Sequence, residues 1–330
     1  VQELRKSLWN NIFTENLELY ESYLWNRMED FSTMLLGQTG TGKGLAAAAI
    51  GRSGFIPFNE KKQRFEESFP KTFISINLSQ YPEQLIESEL FGHKKGAFTG
   101  AVESHRGIFT RCSPFGAIFI DEIGEVSIPV QIKLLQVLQE RVFTPVGSHS
   151  AEKFQGRVIA ATNQSLTALR SDGRFREDFY YRLCSDVIEV PSLQQRVKEN
   201  PKEINLLLSF IVERIVGRKS SELVKEIGRT IAEDQPENYS WPGNIRELEQ
   251  CVRQILLNGV YKWQTTESSE QGELAAEIEQ GRLSASELLG VYCRTLRERL
   301  GTYEAVSRVT KLDRRTVKKY IVQSAQQVDK

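Results

Sequence analysis

The chain has 330 residues, and its 43 Lys and Arg balance 43 Asp and Glu to a formal net charge of zero. That balance excludes a chain-wide basic field for nucleic acid, and 40% hydrophobic with 26% charged residues excludes a disordered chain. No apolar run approaches the roughly 18 residues of a membrane span, and four scattered cysteines (Cys112, Cys184, Cys251, Cys293) predict free thiols in a cytoplasmic protein, not a disulfide framework or zinc site.

Residues 1–30 set Leu17, Tyr20 and Leu24 at helical spacing and predict one or two helices leading into the first strand. A short apolar run over 31–36 stops at Gly37 and predicts a buried strand ending in a glycine loop. The Ala-rich segment 45–50 follows as a helix. The charged stretch 59–71 predicts a solvated insertion. Further strands are predicted over 72–77, 116–120, 157–163 and 186–190, with a helix over 130–141 behind Pro129. Strands alternating with helices require crossover connections, so the domain to about residue 193 is α/β with a parallel-sheet core. From 194 to 263 the strand signals vanish, and Ile204, Leu207, Leu208, Ile211 and Ile215 repeat at three and four, which predicts a small α-helical domain. Residues 264–285 are polar and acidic and predict a linker. The 48 residues from Leu283 carry ten basic and five acidic side chains, a basic all-α tail on a mildly acidic body.

Gly37, Gln38, Thr39, Gly40, Thr41, Gly42 and Lys43 fit G-x-x-x-x-G-K between a strand and a helix. Glycines let backbone N–H groups turn inward around phosphate oxygens, Lys43 adds a point charge, and the helix N-terminus adds partial positive charge. Gly44 stands where a hydroxyl would usually help hold Mg²⁺. The run 117–120 ends in Asp121 and Glu122. An aspartate at a strand end can hold Mg²⁺, and the adjacent glutamate can polarise a water for attack on a γ-phosphate. Asn163, ending the next strand, is a polar residue suited to the attacking water. These features predict an ATPase using ATP and Mg²⁺.

Taken together, they resemble an AAA+ ATPase. The hexapeptide Gly96-Ala97-Phe98-Thr99-Gly100-Ala101 narrows the resemblance to the bacterial enhancer-binding proteins, the AAA+ activators of sigma-54 RNA polymerase. Two glycines flanking Ala-Phe-Thr predict a mobile, exposed apolar tip, and the resemblance implies that Phe98 and Thr99 contact sigma-54. It also implies roles for residues outside the phosphate site. Asn77 would restrain the catalytic Glu122, and Asn163 would be the sensor at the strand end. Arg176 and Arg182, in Phe175-Arg-Glu-Asp-Phe-Tyr-Tyr-Arg182, would be arginine fingers. Arg246, in Trp241-Pro-Gly-Asn-Ile-Arg246, would be the lid arginine on the nucleotide. Fingers acting on a neighbour's ATP imply a closed homo-oligomeric ring, a hexamer or heptamer. The 36 residues before Gly37 are too few for the regulatory domain usual in such activators, so that domain is expected to be absent or removed. Gly44 in place of the usual Glu, and the 59–71 insertion, are expected to alter nucleotide affinity and rate.

The tail predicts three helices, over 288–300, 303–309 and 314–323, in an order resembling the Fis-type helix-turn-helix of the same family. Arg314, Arg315, Thr316, Lys318 and Lys319 would line the recognition helix of a dimer on enhancer DNA. The resulting expectation is an enhancer-bound activator that hydrolyses ATP to remodel the closed complex of sigma-54 RNA polymerase holoenzyme into an open one. Two other readings stay open: another DNA-associated AAA+ ATPase, or a DNA-binding repressor that holds ATP only as a ligand.

Overall fold

The computed structural model describes residues 1–236, 238–263 and 284–326. Nine strands appear among them: β1 (Thr33–Leu36), β2 (Phe58–Asn59), β3 (Arg64–Phe65), β4 (Phe73–Asn77), β5 (Ala117–Asp121), β6 (Val142–Phe143), β7 (Glu152–Lys153), β8 (Arg157–Thr162) and β9 (Asp186–Glu189). Five form one sheet in the order β4-β5-β8-β1-β9, and every pair in it is parallel. Parallel strands need cover on both faces. Along β5, Ile118 and Ile120 join one apolar cluster with Met34, Val158 and Leu134, while Ala117 and Phe119 join another with Leu35, Ala47 and Ile159. This is the two-residue alternation of a strand feeding two cores. The Gln2–Phe13 helix closes the second core through Leu4, Leu8 and Ile12, four residues apart on one helical face.

The 59–71 insertion is exposed, as its charge predicts, but it is not a plain loop. β2 and β3 pair as a small antiparallel ribbon, with the Phe58 and Phe65 rings edge to face at 5.3 Å. Two aromatic residues at a non-hydrogen-bonding distance supply the cross-strand contact that so short a ribbon needs. The predicted helix over 130–141 begins two residues earlier, as Ile128–Glu140, with Pro129 in its first turn.

Four helices follow the sheet: Leu193–Glu199, Glu203–Val216, Ser221–Asp234 and Asn244–Asn258. The first is opened by a capping box between Ser192 and Gln195. Residues Val1–Tyr261 form one compact unit and Lys262–Lys330 a second. The second unit contains helices Ala285–Leu300, Tyr303–Thr310 and Arg314–Gln326 around Cys293, Leu296, Val306 and Val317. The predicted linker over 264–285 lies outside the described residues as far as 283. Its last two positions are corrected, because Ser284 caps the helix that starts at Ala285 through a capping box with Glu287.

Candidate functional site

The phosphate loop leaves the carboxyl end of β1 and enters the Lys43–Arg52 helix. Ligands of open α/β sheets bind at this edge. Lys43 is 7% exposed, and its ammonium donates to the carbonyls of Gly37 at 2.8 Å and Gln38 at 3.2 Å. Burial pushes its pKa down, while Glu122 and Asp121 oppose that shift. A Cβ on Gly40 would lie 2.2 Å from the Gly243 carbonyl oxygen, so the loop is packed tightly against the turn before the Asn244–Asn258 helix. Gly40 holds φ +81°, which a side chain would resist even without that contact. At Gly44 there is room: a Cβ would meet only Phe119, at 3.8 Å. The hydroxyl missing there is a matter of sequence, not space.

Asp121 ends β5 in register with Asn77 at the end of β4. The Asn77 amide donates to Asp121 Oδ2 at 3.4 Å, and its own oxygen accepts from Ser79 N. In this structure Asn77 therefore addresses Asp121 and not Glu122. Glu122 is held from the other side, where Asn163 N donates to its Oε2 at 3.4 Å. Asn163 also reaches the phosphate loop, donating from Nδ2 to Thr39 Oγ1 at 3.0 Å. Glu122 adopts φ +57°, an uncommon backbone for a non-glycine residue and one that clusters at working sites. Burial raises the pKa of Asp121, with Lys43 opposing, and burial plus the Asp121 charge raises that of Glu122. Two hard carboxylates whose ionisation is disfavoured, beside the phosphate loop, suit Mg²⁺. A cleft of about 540 Å³ opens beside the phosphate loop, lined by Gln38, Thr39, Asn163, Ser192 and Ser240 among others.

Sequence reading missed Asn244. It is fully buried with φ +54°. Its Nδ2 donates to Gln38 Oε1 and to the Thr39 carbonyl, both at 3.1 Å, and its Oδ1 accepts from Leu193 N at 2.8 Å. Ile245 N donates to the Gly40 carbonyl at 3.0 Å. One amide therefore joins the phosphate loop, the start of the helical domain and the helix that carries Arg246. The signal was visible, because Asn after Pro-Gly tolerates the left-handed backbone that Ala does not. Glu247 fixes the same turn, accepting from Gly243 N at 2.8 Å and from the Tyr239 hydroxyl. Arg246 is exposed, and its charge reaches Lys43 and Asp121.

The two finger arginines differ. Arg176 is half-buried, its side chain 39% accessible, and held by Asp178 through two bonds of 2.9 and 2.7 Å. Arg182 is half-buried and donates through Nε and Nη2 to the Leu138 carbonyl, at the end of the Ile128–Glu140 helix. The structure thus presents Arg176 at the surface and uses Arg182 to close a helix end of its own protomer.

The hexapeptide sits at the tip of a hairpin whose base is a pair of bonds between His93 and His105. Gly96 N bonds the Ala101 carbonyl and Ala101 N the Phe98 carbonyl, with Gly96 and Gly100 at φ +79° and +102°. Thr99 is exposed. Phe98 is 38% exposed and rests edge-on against the His93 ring at 4.9 Å, so the tip is outward but seated. A second loop braces it: Lys94 N donates to the Val146 carbonyl at 3.0 Å, and Gly147 backs onto Ala97.

In the tail unit, Asp313 caps the third helix by accepting from Arg315 N at 2.8 Å. Val317 faces the core with Tyr320 and Ile321 beside it. Arg315, Lys318 and Lys319 are exposed and share one face at three- and four-residue spacing, Thr316 is half-buried, and Arg314 pairs with Glu304 at 2.7 Å.

Residues 14–189 match the sigma-54 interaction domain family, and residues 198–286 match the AAA+ ATPase lid domain. The chain is 40% identical over 243 residues to the transcriptional regulatory protein GlrR of Escherichia coli K12, covering 72% of this chain and 50% of that protein. It is 39% identical over 228 residues to the DNA-binding transcriptional regulator NtrC of Azospirillum brasilense, covering 68% and 43%. The chain thus spans about half the length of the curated relatives it matches. In fold it is similar to NtrX of Brucella abortus crystallised with ADP, at a TM-score of 0.56 and 19% identity over 98% of this chain and 68% of that one. Among the described residues no helix is long and apolar enough to cross a membrane. With the sigma-54 interaction domain matched over more than half its length, the chain belongs to the family of sigma-54-dependent transcriptional regulators.

Proposed function

We propose that this chain is an ATP-driven activator that remodels the closed complex of sigma-54 RNA polymerase into an open one. The observation that carries the reading is the convergence of Lys43, Asp121, Glu122 and Asn163 at one sheet edge of a domain that also presents the Phe98–Thr99 tip. Lys43 would exchange its loop carbonyls for β- and γ-phosphate oxygens. Asp121 would hold Mg²⁺, which supplies charge neutralisation on the phosphates. Glu122 would take the proton from a water attacking the γ-phosphorus in line, while the β–γ bridging oxygen leaves with ADP. Asn163 is placed to orient that water.

Arg176 would act on ATP bound by the next protomer, which requires a closed ring of this chain, a hexamer or heptamer. Its partner Asp178 would have to release it on assembly. Arg182 would act in trans only after leaving Leu138. Nucleotide-dependent movement of the loop would press Phe98 and Thr99 against sigma-54. The basic face of the third tail helix would sit in the major groove of enhancer DNA, as a dimer.

The test mixes the chain with purified sigma-54 and ADP–aluminium fluoride. A stable complex that Thr99→Ala abolishes is the expected result. No complex at any protein concentration would overturn the reading.

A further inference from the structure

A second cavity lies at the far side of the α/β domain, away from the phosphate loop. Its volume is about 930 Å³, within the roughly 300–1,000 Å³ of small-molecule sites, and larger than the nucleotide cleft. The two share no lining residue. They sit at opposite ends of the Lys43–Arg52 helix, since Lys43 begins it and Gly51 and Ser53 line this cavity. Ten residues at 1.5 Å rise set the ends about 15 Å apart. Likewise Ala117, at the start of β5, lines this cavity, while Asp121 ends the strand beside Lys43. None of the residues here belongs to the phosphate site.

The walls are aromatic: Tyr20, Trp25, Phe55, Phe115 and Phe154 all line the space, and Trp25 and Phe55 meet edge to face at 4.9 Å. The carboxylates that line it are Glu29, Asp30 and Glu140; Asp30 and Glu140 are exposed and Glu29 is half-buried. Two guanidiniums are sheltered beside it, Arg157 buried and Arg141 half-buried. Arg157 is 8% exposed and makes four bonds, to the carbonyls of Phe31 and Asn11 and to the side chains of Asn11 and Thr33, with every nitrogen partnered. Arg141 has one nitrogen without a partner. It donates to the Gly156 carbonyl at 3.0 Å, to the Glu29 carbonyl and to Asp30 Oδ1 at 3.0 Å, yet its Nε is buried without an acceptor. A buried N–H left unmade costs about 1–3 kcal/mol and calls for an acceptor.

We propose that this cavity is a binding site for a small planar aromatic carboxylate, with the ring system against Trp25, Phe55 and Phe115 and the carboxylate accepting from Arg141. Aromatic walls favour a flat ring in offset or edge contact, and a guanidinium favours a carboxylate over a neutral oxygen. The site is distinct from the nucleotide site and stands whether or not ATP is hydrolysed.

The test titrates naphthalene-2-carboxylate into the 330-residue chain by isothermal titration calorimetry. One-to-one binding is expected, about tenfold weaker for uncharged naphthalene-2-methanol, which forfeits the charge-assisted bond. Phe55→Ala removes half-exposed ring surface and should weaken binding about tenfold. Gly54→Leu should do the same by filling the space. A Cβ at Gly54 meets only the Phe115 carbonyl oxygen, at 3.5 Å, so the substitution fits the fold. An unchanged thermal midpoint in either variant shows that folding is intact, and Phe55→Ala carries the test if Gly54→Leu unfolds. Saturating ADP should leave the affinity unchanged. No binding at millimolar probe, equal affinity for the alcohol, displacement by ADP, or indifference to both variants would each overturn the proposal.

Discussion

Glu122 and Asn244 decide the local chemistry in opposite ways. Glu122 is ionised against its environment: burial first, then Asp121, raises its pKa. A carboxylic acid raised in the fold costs stability once ionised. That cost is full above its folded pKa and absent below the ordinary carboxylate pKa of about 4.3. Glu122→Gln should therefore raise the thermal midpoint of the nucleotide-free protein at neutral pH, with the gain shrinking as pH falls toward 4. The same substitution should lower ATP turnover at least about a hundredfold by removing the base. The acid limb of parental turnover should lie above the usual carboxylate range, and a pH–rate profile checks it. The left-handed turn at Asn244 is visible in Pro-Gly-Asn, but its long-range bonds are not, because an Asn in a turn usually caps its own backbone. Only the folded chain brings it to Gln38 and Leu193. Asn244→Gly keeps the left-handed backbone and loses the amide. It should weaken ATP binding about tenfold, as three lost bonds at one loop would. Fluorescent-nucleotide titration measures this, and unchanged affinity would remove the role.

The strands and the phosphate loop could be read from sequence because their signals are local: period-two or β-branched runs broken by glycine, and a lysine at a fixed spacing. The β2–β3 ribbon could not, since Phe65 sits within, and Phe58 just before, a charged stretch whose composition speaks for solvent. The brace from Val146 to Lys94 and the bond from Arg182 to Leu138 are likewise contacts between segments far apart in the chain, while the seat of Phe98 on His93 depends on the path of the hairpin between them. The tail helix belongs at this scale as well. Its core positions Val317, Tyr320 and Ile321 follow helical spacing, and that spacing turns Arg315, Lys318 and Lys319 outward. If that face meets DNA backbone, Lys318→Ala should weaken binding to all sequences alike and reduce the slope of log affinity against log salt by about one. Fluorescence anisotropy over a salt series reads this directly. An unchanged slope would take Lys318 off the interface.

For the whole molecule, the structure places a phosphate site, an outward loop and a basic helical unit on one chain, and assembly into a ring would couple them. A site completed in trans makes a mixing prediction. Arg176→Ala lacks the finger and Glu122→Gln lacks the base, so each alone should be nearly inactive in ATP turnover. Mixed, they should recover a measurable fraction, because some interfaces pair an intact base with an intact finger. Additivity without recovery would place all catalytic groups in one protomer. If hydrolysis drives the loop, single-round open-complex formation at a sigma-54 promoter reads that coupling. Thr99→Ala should hydrolyse ATP near the parental rate and form no open complexes. Open complexes at the parental level with Thr99→Ala, or with Glu122→Gln in place of a working ATPase, would contradict it.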